Sequence, residues 1–152
     1  MTAKYLPGLF CVLVCLLTAP SVQAALGQDR ASILVDHKVM GANEPTVSQG
    51  VGYQIHEMQH PSGTIVREFV SPQGQVFAVN WSGRVPTNLQ QLLGPHYEQF
   101  TKSALVRTGS HHMLRINQPD LVLTNVQYLR HYEGQAYIPA MVPTGVDTSQ
   151  LK

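Results

Sequence analysis

Five consecutive residues could form part of a zinc-protease site. His56, Glu57 and His60 fit the pattern H-E-x-x-H, in which two histidines one helical turn apart bind zinc and the glutamate acts as general base. Pro61 follows directly and pushes His60 toward an extended conformation, and Ser62 continues as a turn. Positions i and i+4 of an extended chain lie roughly 13 Å apart and cannot share one metal. We interpret the pattern as a strand end, with a metal-dependent hydrolase using His56 and His60 as the alternative.

The signature patterns of other common catalytic sites do not occur in the sequence. It has no G-x-S-x-G elbow, no phosphate-binding glycine loop and no C-x-x-C pair, which are typical of nucleophilic, nucleotide and redox chemistry respectively. We therefore expect no cofactor and no catalytic residue, and we favour a non-enzymatic protein over an enzyme.

Four side chains are candidates for binding a ligand or partner: Arg67, Trp81, Arg130 and Tyr137. Arg67 has apolar neighbours two positions away on each side, so it is either a partly buried, paired arginine or a clamp for a carboxylate. Trp81 and Tyr137 could line a groove for a glycan or a peptide, although aromatic side chains more often pack in a core.

The first 24 residues have the three parts of a secretory signal. Lys4 provides the charged region, Leu9 to Leu17 the apolar run, and Val22 to Ala24 the small-residue cleavage site. The apolar run is shorter than the ~20 residues of a membrane-spanning helix, and no later stretch comes close. We predict a signal peptide over residues 1–24, a single exported domain over 25–152 in the periplasm or secreted, and no membrane span in the mature chain.

The predicted mature chain carries no formal net charge. Lys4 is the only one of the 10 Lys and Arg residues inside the leader, and all 9 Asp and Glu lie beyond it. This balance lacks the basic patch that nucleic-acid binding requires, so we expect no nucleic-acid partner. Both cysteines lie in the leader as well, so the core alone must stabilise the domain.

Short apolar runs separated by turns rich in proline and glycine predict an antiparallel sheet. The six runs are Tyr53–Met58, Thr64–Val70, Val76–Trp81, Met113–Ile116, Leu121–Tyr128 and Gln135–Ile138. We predict an α+β domain in which one long kinked helix packs on a sheet of about five or six strands.

The remaining segments supply the helices and loops of this fold. Thr87 with Gln90 forms a capping box that opens the long helix, which is kinked at Gly94-Pro95. Asp29–Met40 could be a helix or a strand, and we favour a helix. The composition of Asn43–Gly52 predicts a surface loop, and the tail from about residue 140 reads as irregular.

Several of these segments also resemble a known family. They are Ser62–Val70, Gly74–Gly83, Leu89 with Leu92-Leu93-Gly94 and Tyr97, Leu129-Arg130, and Gly134–Pro139. Together they resemble the exported proteobacterial proteins grouped as domain of unknown function 2844, over nearly the whole mature chain. The resemblance implies export but no activity, ligand or catalytic residue. A histidine often precedes the Leu-Arg pair in that family, and here Tyr128 occupies that place.

These observations favour a non-enzymatic periplasmic or secreted binding or accessory protein. Its partner would be a cell-envelope protein or a glycan, contacted through a surface that includes Arg67, Trp81, Arg130 or Tyr137. The alternatives are the metal-dependent hydrolase described above and a purely structural component of the envelope.

Overall fold

The computed structural model describes residues 26–105 and 112–151. The described helices are α1 (Ser32–Met40), α2 (Leu89–Leu93) and α3 (Tyr97–Leu105). The strands are β1 (Thr46–Gly50), β2 (Tyr53–Gln59), β3 (Ile65–Val70), β4 (Val76–Gly83), β5 (Met113–Asn117), β6 (Val122–Tyr128) and β7 (His131–Tyr137).

All seven strands form one antiparallel sheet in the order β1-β2-β3-β4-β7-β6-β5. Strands β1 to β4 form one meander and β5 to β7 form a second. The two meanders join where β4 pairs with β7, so the centre of the sheet is built from segments about fifty residues apart in the chain. Strands β1 and β5 are the two edges.

One face of the sheet packs against the helices and carries the larger core. Strand residues such as Met58, Val66 and Trp81 are buried there together with Ile33 of α1 and Leu92 of α2. Removing this apolar surface from water is the main stabilising contribution to the fold.

The opposite face is covered at one end by the C-terminal segment. This segment contains two 3₁₀ turns, Pro139–Met141 and Thr148–Gln150. Phe69 and Phe77 of the sheet are fully buried beneath it, together with Leu151. Toward the β5 edge of this face, Met113, Arg115 and Asn117 are exposed.

The helix predicted in Asp29–Met40 is confirmed as α1, which ends at Gly41 in the left-handed conformation, with φ of 60°. The long helix is also present, as a 17-residue helical stretch. Its middle, Gly94–His96, is a 3₁₀ turn, because Pro95 cannot donate an amide hydrogen bond. The predicted kink therefore lies at this turn.

The predicted number of strands was wrong, since the sheet has seven strands and not five or six. The additional strand, β1, lies within Asn43–Gly52, which the sequence indicated to be a loop. Four of its five residues are exposed because it is an edge strand, so it lacks the alternation of apolar residues that marks a half-buried strand.

The predicted helix cap was wrong by one residue. Asn88, and not Thr87, is the N-cap of α2, and its Oδ1 accepts a hydrogen bond from the Gln91 amide at 3.2 Å.

The predicted signal peptide, residues 1–24, lies outside the described residues. Within the described ranges, no helix is long and apolar enough to cross a membrane.

Candidate functional site

A row of polar side chains crosses the sheet on the face that also carries the C-terminal segment. Residues directly opposed on antiparallel strands place their side chains on the same face. The row follows the strand register through Thr46, Glu57, Arg67, Asn80, Gln135, Thr124 and Arg115. Six interstrand spacings give it a length of roughly 29 Å. We call these seven residues the polar row.

Arg67 is held in the polar row by an ion pair. Its Nε donates to Glu57 Oε2 at 2.7 Å. The two side chains are 28% and 41% exposed, so both partners remain reachable from solvent. Of the two alternatives that the sequence left open for Arg67, the structure shows the paired arginine.

The two carboxamides at the centre of the polar row bind the main chain of the protein's own tail. Gln135 Nε2 donates to the Thr148 carbonyl at 3.1 Å, and Asn80 Nδ2 lies 3.5 Å from the Leu151 carbonyl. The polar row is therefore chemically suited to peptide carbonyl groups.

An open groove of about 450 Å³ lies beside the tail along the polar row. Arg67 and Thr124 line it from the row, and Ser82, Val126 and Glu133 line it from the neighbouring positions of the same strands. The groove therefore offers a cation, a carboxylate and hydroxyl groups within one open surface. We call it the row groove.

Trp81 borders the row groove but is only 1% exposed. It lies opposite Gly134 in the register, and a Cβ atom at Gly134 would overlap the indole ring. Register also places Trp81 and Arg67 on opposite faces of the sheet, since Arg67 is opposite Asn80. The structure does not bring these two candidates together.

The other two candidate residues lie elsewhere on the molecule. Tyr137 is on the same face as Arg67, but its ring packs partly buried against the aromatic cluster under the tail. Arg130 is exposed in the turn between β6 and β7, after Leu129, whose φ is 53°.

The H-E-x-x-H residues do not form a ligand set. They lie in strand β2 and the turn after it, so His56 and Glu57 point to opposite faces. His60 Nδ1 accepts from the Ser62 amide at 3.0 Å in that turn. Across the two ranges that the structure covers, no group of three His, Cys, Asp or Glu could hold a metal ion.

Two buried carboxyl groups, which the sequence interpretation missed, meet under α1. Asp36 and Glu68 are both fully buried. Burial raises the pKa of Asp36 from 3.8 to about 6. Burial, and then the charge of Asp36, raise the pKa of Glu68 well above its ordinary value. The sequence did contain a signal that Glu68 is buried, because Glu68 shares its strand face with the apolar residues Val66 and Val70.

His56 is the cross-strand neighbour of Glu68 and is 8% exposed. Its Nε2 is buried and has no hydrogen-bond partner among the described residues. Burial, and then the positive charge of Arg30, lower its pKa below 6.5. Asp36 and Glu68 are fully buried, whereas His56 also lines an open cavity beside α1. We assign the cluster to the attachment of α1 to the sheet.

One family model matches the chain over residues 22–151, and its description is Protein of unknown function (DUF2844). This match confirms the resemblance drawn from Ser62–Val70, Gly74–Gly83 and Gly134–Pro139. No curated protein and no solved structure matches the chain.

Proposed function

The chain belongs to the family of domain of unknown function 2844, and we propose that it is an exported, non-enzymatic binding or accessory protein. Its partner is an extended segment of a cell-envelope protein, which lies in the row groove. One observation carries this proposal: Asn80 and Gln135 already contact main-chain carbonyl groups of the tail.

The chemistry of the row groove suits a polypeptide backbone. A carboxamide offers both a donor and an acceptor, as does a peptide group. The hydroxyls of Ser82 and Thr124 add further groups that can donate and accept, and Arg67 and Glu133 can meet polar side chains of either sign. A partner bound here would lie beside Leu151 of the tail.

A binding role agrees better with the lining of the row groove than a catalytic one. No histidine is among the described residues that line the row groove, and nucleophilic catalysis by the hydroxyl of Ser82 or Thr124 needs an adjacent base. The carboxylate of Glu133 is engaged by His131 Nε2 at 2.9 Å. The proposal of export rests on the predicted leader. Mass spectrometry of the protein recovered from the periplasm or the medium tests whether the chain is cleaved after Ala24.

The binding proposal is tested by capture from solubilised cell envelope with two matched variants. Ser82→Arg places a long side chain in the row groove, whereas Gln90→Arg adds the same side chain on the exposed surface of α2. We expect the wild type and Gln90→Arg to capture the same protein, and Ser82→Arg to lose at least nine-tenths of it. A peptide from the captured protein should then bind the wild type directly.

Three outcomes contradict the proposal. Capture that survives protease treatment of the envelope but is lost after glycan removal indicates a glycan partner. Equal capture by Ser82→Arg and Gln90→Arg places the partner elsewhere on the molecule. Recovery of only the free protein at native expression leaves a structural component of the envelope as the better interpretation.

A further inference from the structure

A second cavity lies on the helix side of the sheet, away from the row groove. It has a volume of about 220 Å³ and is enclosed by the end of α1, by β2 and β3, and by the loop before α2. We call it the α1 pocket. Nothing in the proposed partner binding uses it.

The floor of the α1 pocket and part of its wall are apolar. Met58 and Val66 are buried core residues that form its floor, and Met40 packs beside them. Val39 and Val85 also line it and are 54% and 37% exposed. Methionine side chains adapt their shape to a bound molecule, so two flexible methionines favour a site that accepts an apolar body.

Polar groups lie along one side of the α1 pocket. Thr87 lines the pocket, and its Oγ1 is buried with no hydrogen-bond partner among the described residues. Thr64 and Ser62 line it too, with 3.3 Å between their hydroxyl oxygens. A buried hydroxyl without a partner is unfavourable. Thr87 Oγ1 has almost no accessible surface in the ligand-free protein, so a rotation of this side chain toward the α1 pocket, with a bond from Oγ1 to a ligand, would remove that penalty.

The lining also limits the charge and the size of a ligand. No Asp, Glu, Lys or Arg is among the described residues that line the α1 pocket, and the imidazole of His60, which does line it, is hydrogen-bonded through Nδ1 to Ser62. A charged ligand would therefore lose its hydration without gaining a carboxylate, ammonium or guanidinium counterion. An apolar cavity of about 150 Å³ accepts benzene. By that scale the α1 pocket suits a molecule of on the order of nine non-hydrogen atoms.

We propose that the α1 pocket binds a small uncharged amphiphile with one hydroxyl group. The apolar body lies against Met40, Met58 and Val66, and the hydroxyl bonds to Thr87 Oγ1. The α1 pocket thus gives the protein a small-molecule site that is independent of its partner surface.

The methionines provide a built-in test by methyl NMR on the purified protein. Met40 and Met58 line the α1 pocket, whereas Met113 on β5 and Met141 in the tail lie elsewhere. In a titration with 1-heptanol at pH 8, we expect the methyl signals of Met40 and Met58 to shift and those of Met113 and Met141 to stay in place. Heptanoate, which has the same chain length but is charged, should bind at least tenfold more weakly.

Two variants sharpen the assignment. Thr87→Val keeps the shape and removes the hydroxyl, so it should weaken 1-heptanol about tenfold and leave toluene binding unchanged. Val85→Trp narrows the opening of the α1 pocket and should abolish the ligand-induced shifts of the Met40 and Met58 signals. Val51→Trp is the control, at a residue that is 87% exposed in the β1–β2 turn, and should leave these shifts unchanged.

Several results would overturn the proposal. They are unmoved Met40 and Met58 signals at saturating 1-heptanol, equal shifts at Met113 and Met141, equal affinity for heptanoate, or no effect of Thr87→Val on 1-heptanol. The comparison of 1-heptanol with heptanoate uses the wild type alone, so the test stands even where a variant fails to fold.

Discussion

The carboxyl groups of Asp36 on α1 and Glu68 on β3 are neighbours inside the protein, and both residues are fully buried. Neither carboxyl oxygen of Glu68 has a hydrogen-bond partner among the described residues. Two ionised carboxylates buried this close together would repel each other, so one of the pair must stay protonated. The pKa of Glu68 is the more strongly raised, which makes Glu68 the protonated member. Asp36 accepts a hydrogen bond from Gln91 Nε2 at 2.8 Å, so its carboxyl links α1 to α2.

The carboxyl pair should make the protein less stable as the pH rises. Folding raises the pKa of Asp36 from 3.8 to about 6, so the folded state binds more protons than the unfolded chain. The stabilisation is complete below pH 4 and is lost as the pH rises through about 6. Glu68→Gln removes one of the two titrating groups and with it the repulsion between two buried carboxylates. Its free energy of unfolding relative to wild type should therefore rise by roughly 1–3 kcal/mol between pH 4 and pH 8.

Urea unfolding at both pH values measures this difference. Asp120→Asn removes an exposed carboxylate that accepts a hydrogen bond from the neutral amide of Gln99, so it is the matched control and should follow the wild-type profile. A Glu68→Gln profile parallel to the wild type would contradict the raised pKa values of the buried pair.

His56 should act in the opposite direction. Its pKa is lowered by folding, so the unfolded chain takes up the proton first. The stability that neutral His56 contributes is present above pH 6.5 and is lost as the pH falls below that value. We expect His56→Leu to lose less stability than wild type between pH 7 and pH 5. Thermal unfolding at the two pH values tests this, with His96→Leu as control because the bonded partner of His96 is the neutral amide of Gln99.

The zinc interpretation of His56 and His60 has a direct test in alanine variants of the two residues. Because these residues lie in a strand and a turn, with Glu57 on the opposite face, we expect no stoichiometric zinc. Elemental analysis of purified wild type, His56→Ala and His60→Ala should give the same metal content. Zinc at one equivalent that disappears in both variants would restore the metal-dependent hydrolase.

The sequence predicted what depends on local patterns. The kink at Gly94-Pro95 and the extended chain before Pro61 follow from the chemistry of proline. The antiparallel sheet follows from short turns between apolar runs. Strand β1 was not predicted because an exposed edge strand has no buried face, so its sequence lacks an alternation of apolar and polar residues.

The polar row could not be predicted because it depends on the register between distant strands. Asn80 and Gln135 meet only where β4 pairs with β7, and no local signal in the sequence sets that pairing. The same register separates Trp81 from Arg67, although both residue types suggested a binding surface. Asp36 and Glu68 likewise come together only when α1 packs on β3.

The contact between Trp81 and Gly134 should be sensitive to a single methyl group. A Cβ at Gly134 would overlap both the indole ring and the Thr124 carbonyl. We expect Gly134→Ala to destabilise the protein by roughly 1–3 kcal/mol. In a Trp81→Leu background the same change should be milder, and urea unfolding followed by circular dichroism gives the coupling. If the losses of stability from Gly134→Ala and Trp81→Leu are additive, the indole ring is not what excludes a larger residue at position 134.

Thr87 and Asn88 are both residue types that can cap a helix, and in the structure Asn88 is the N-cap of α2. Asn88 Oδ1 accepts from the Gln91 amide, so Asn88→Ala should reduce the free energy of unfolding by about 1 kcal/mol. Thr87 makes no such bond, and its buried Oγ1 has no partner within the described chain. Thr87→Val should therefore leave the ligand-free protein equally stable or more stable. Urea unfolding of the two variants side by side tests which residue is the cap. A loss of stability in Thr87→Val with no loss in Asn88→Ala would show that Thr87 is the cap.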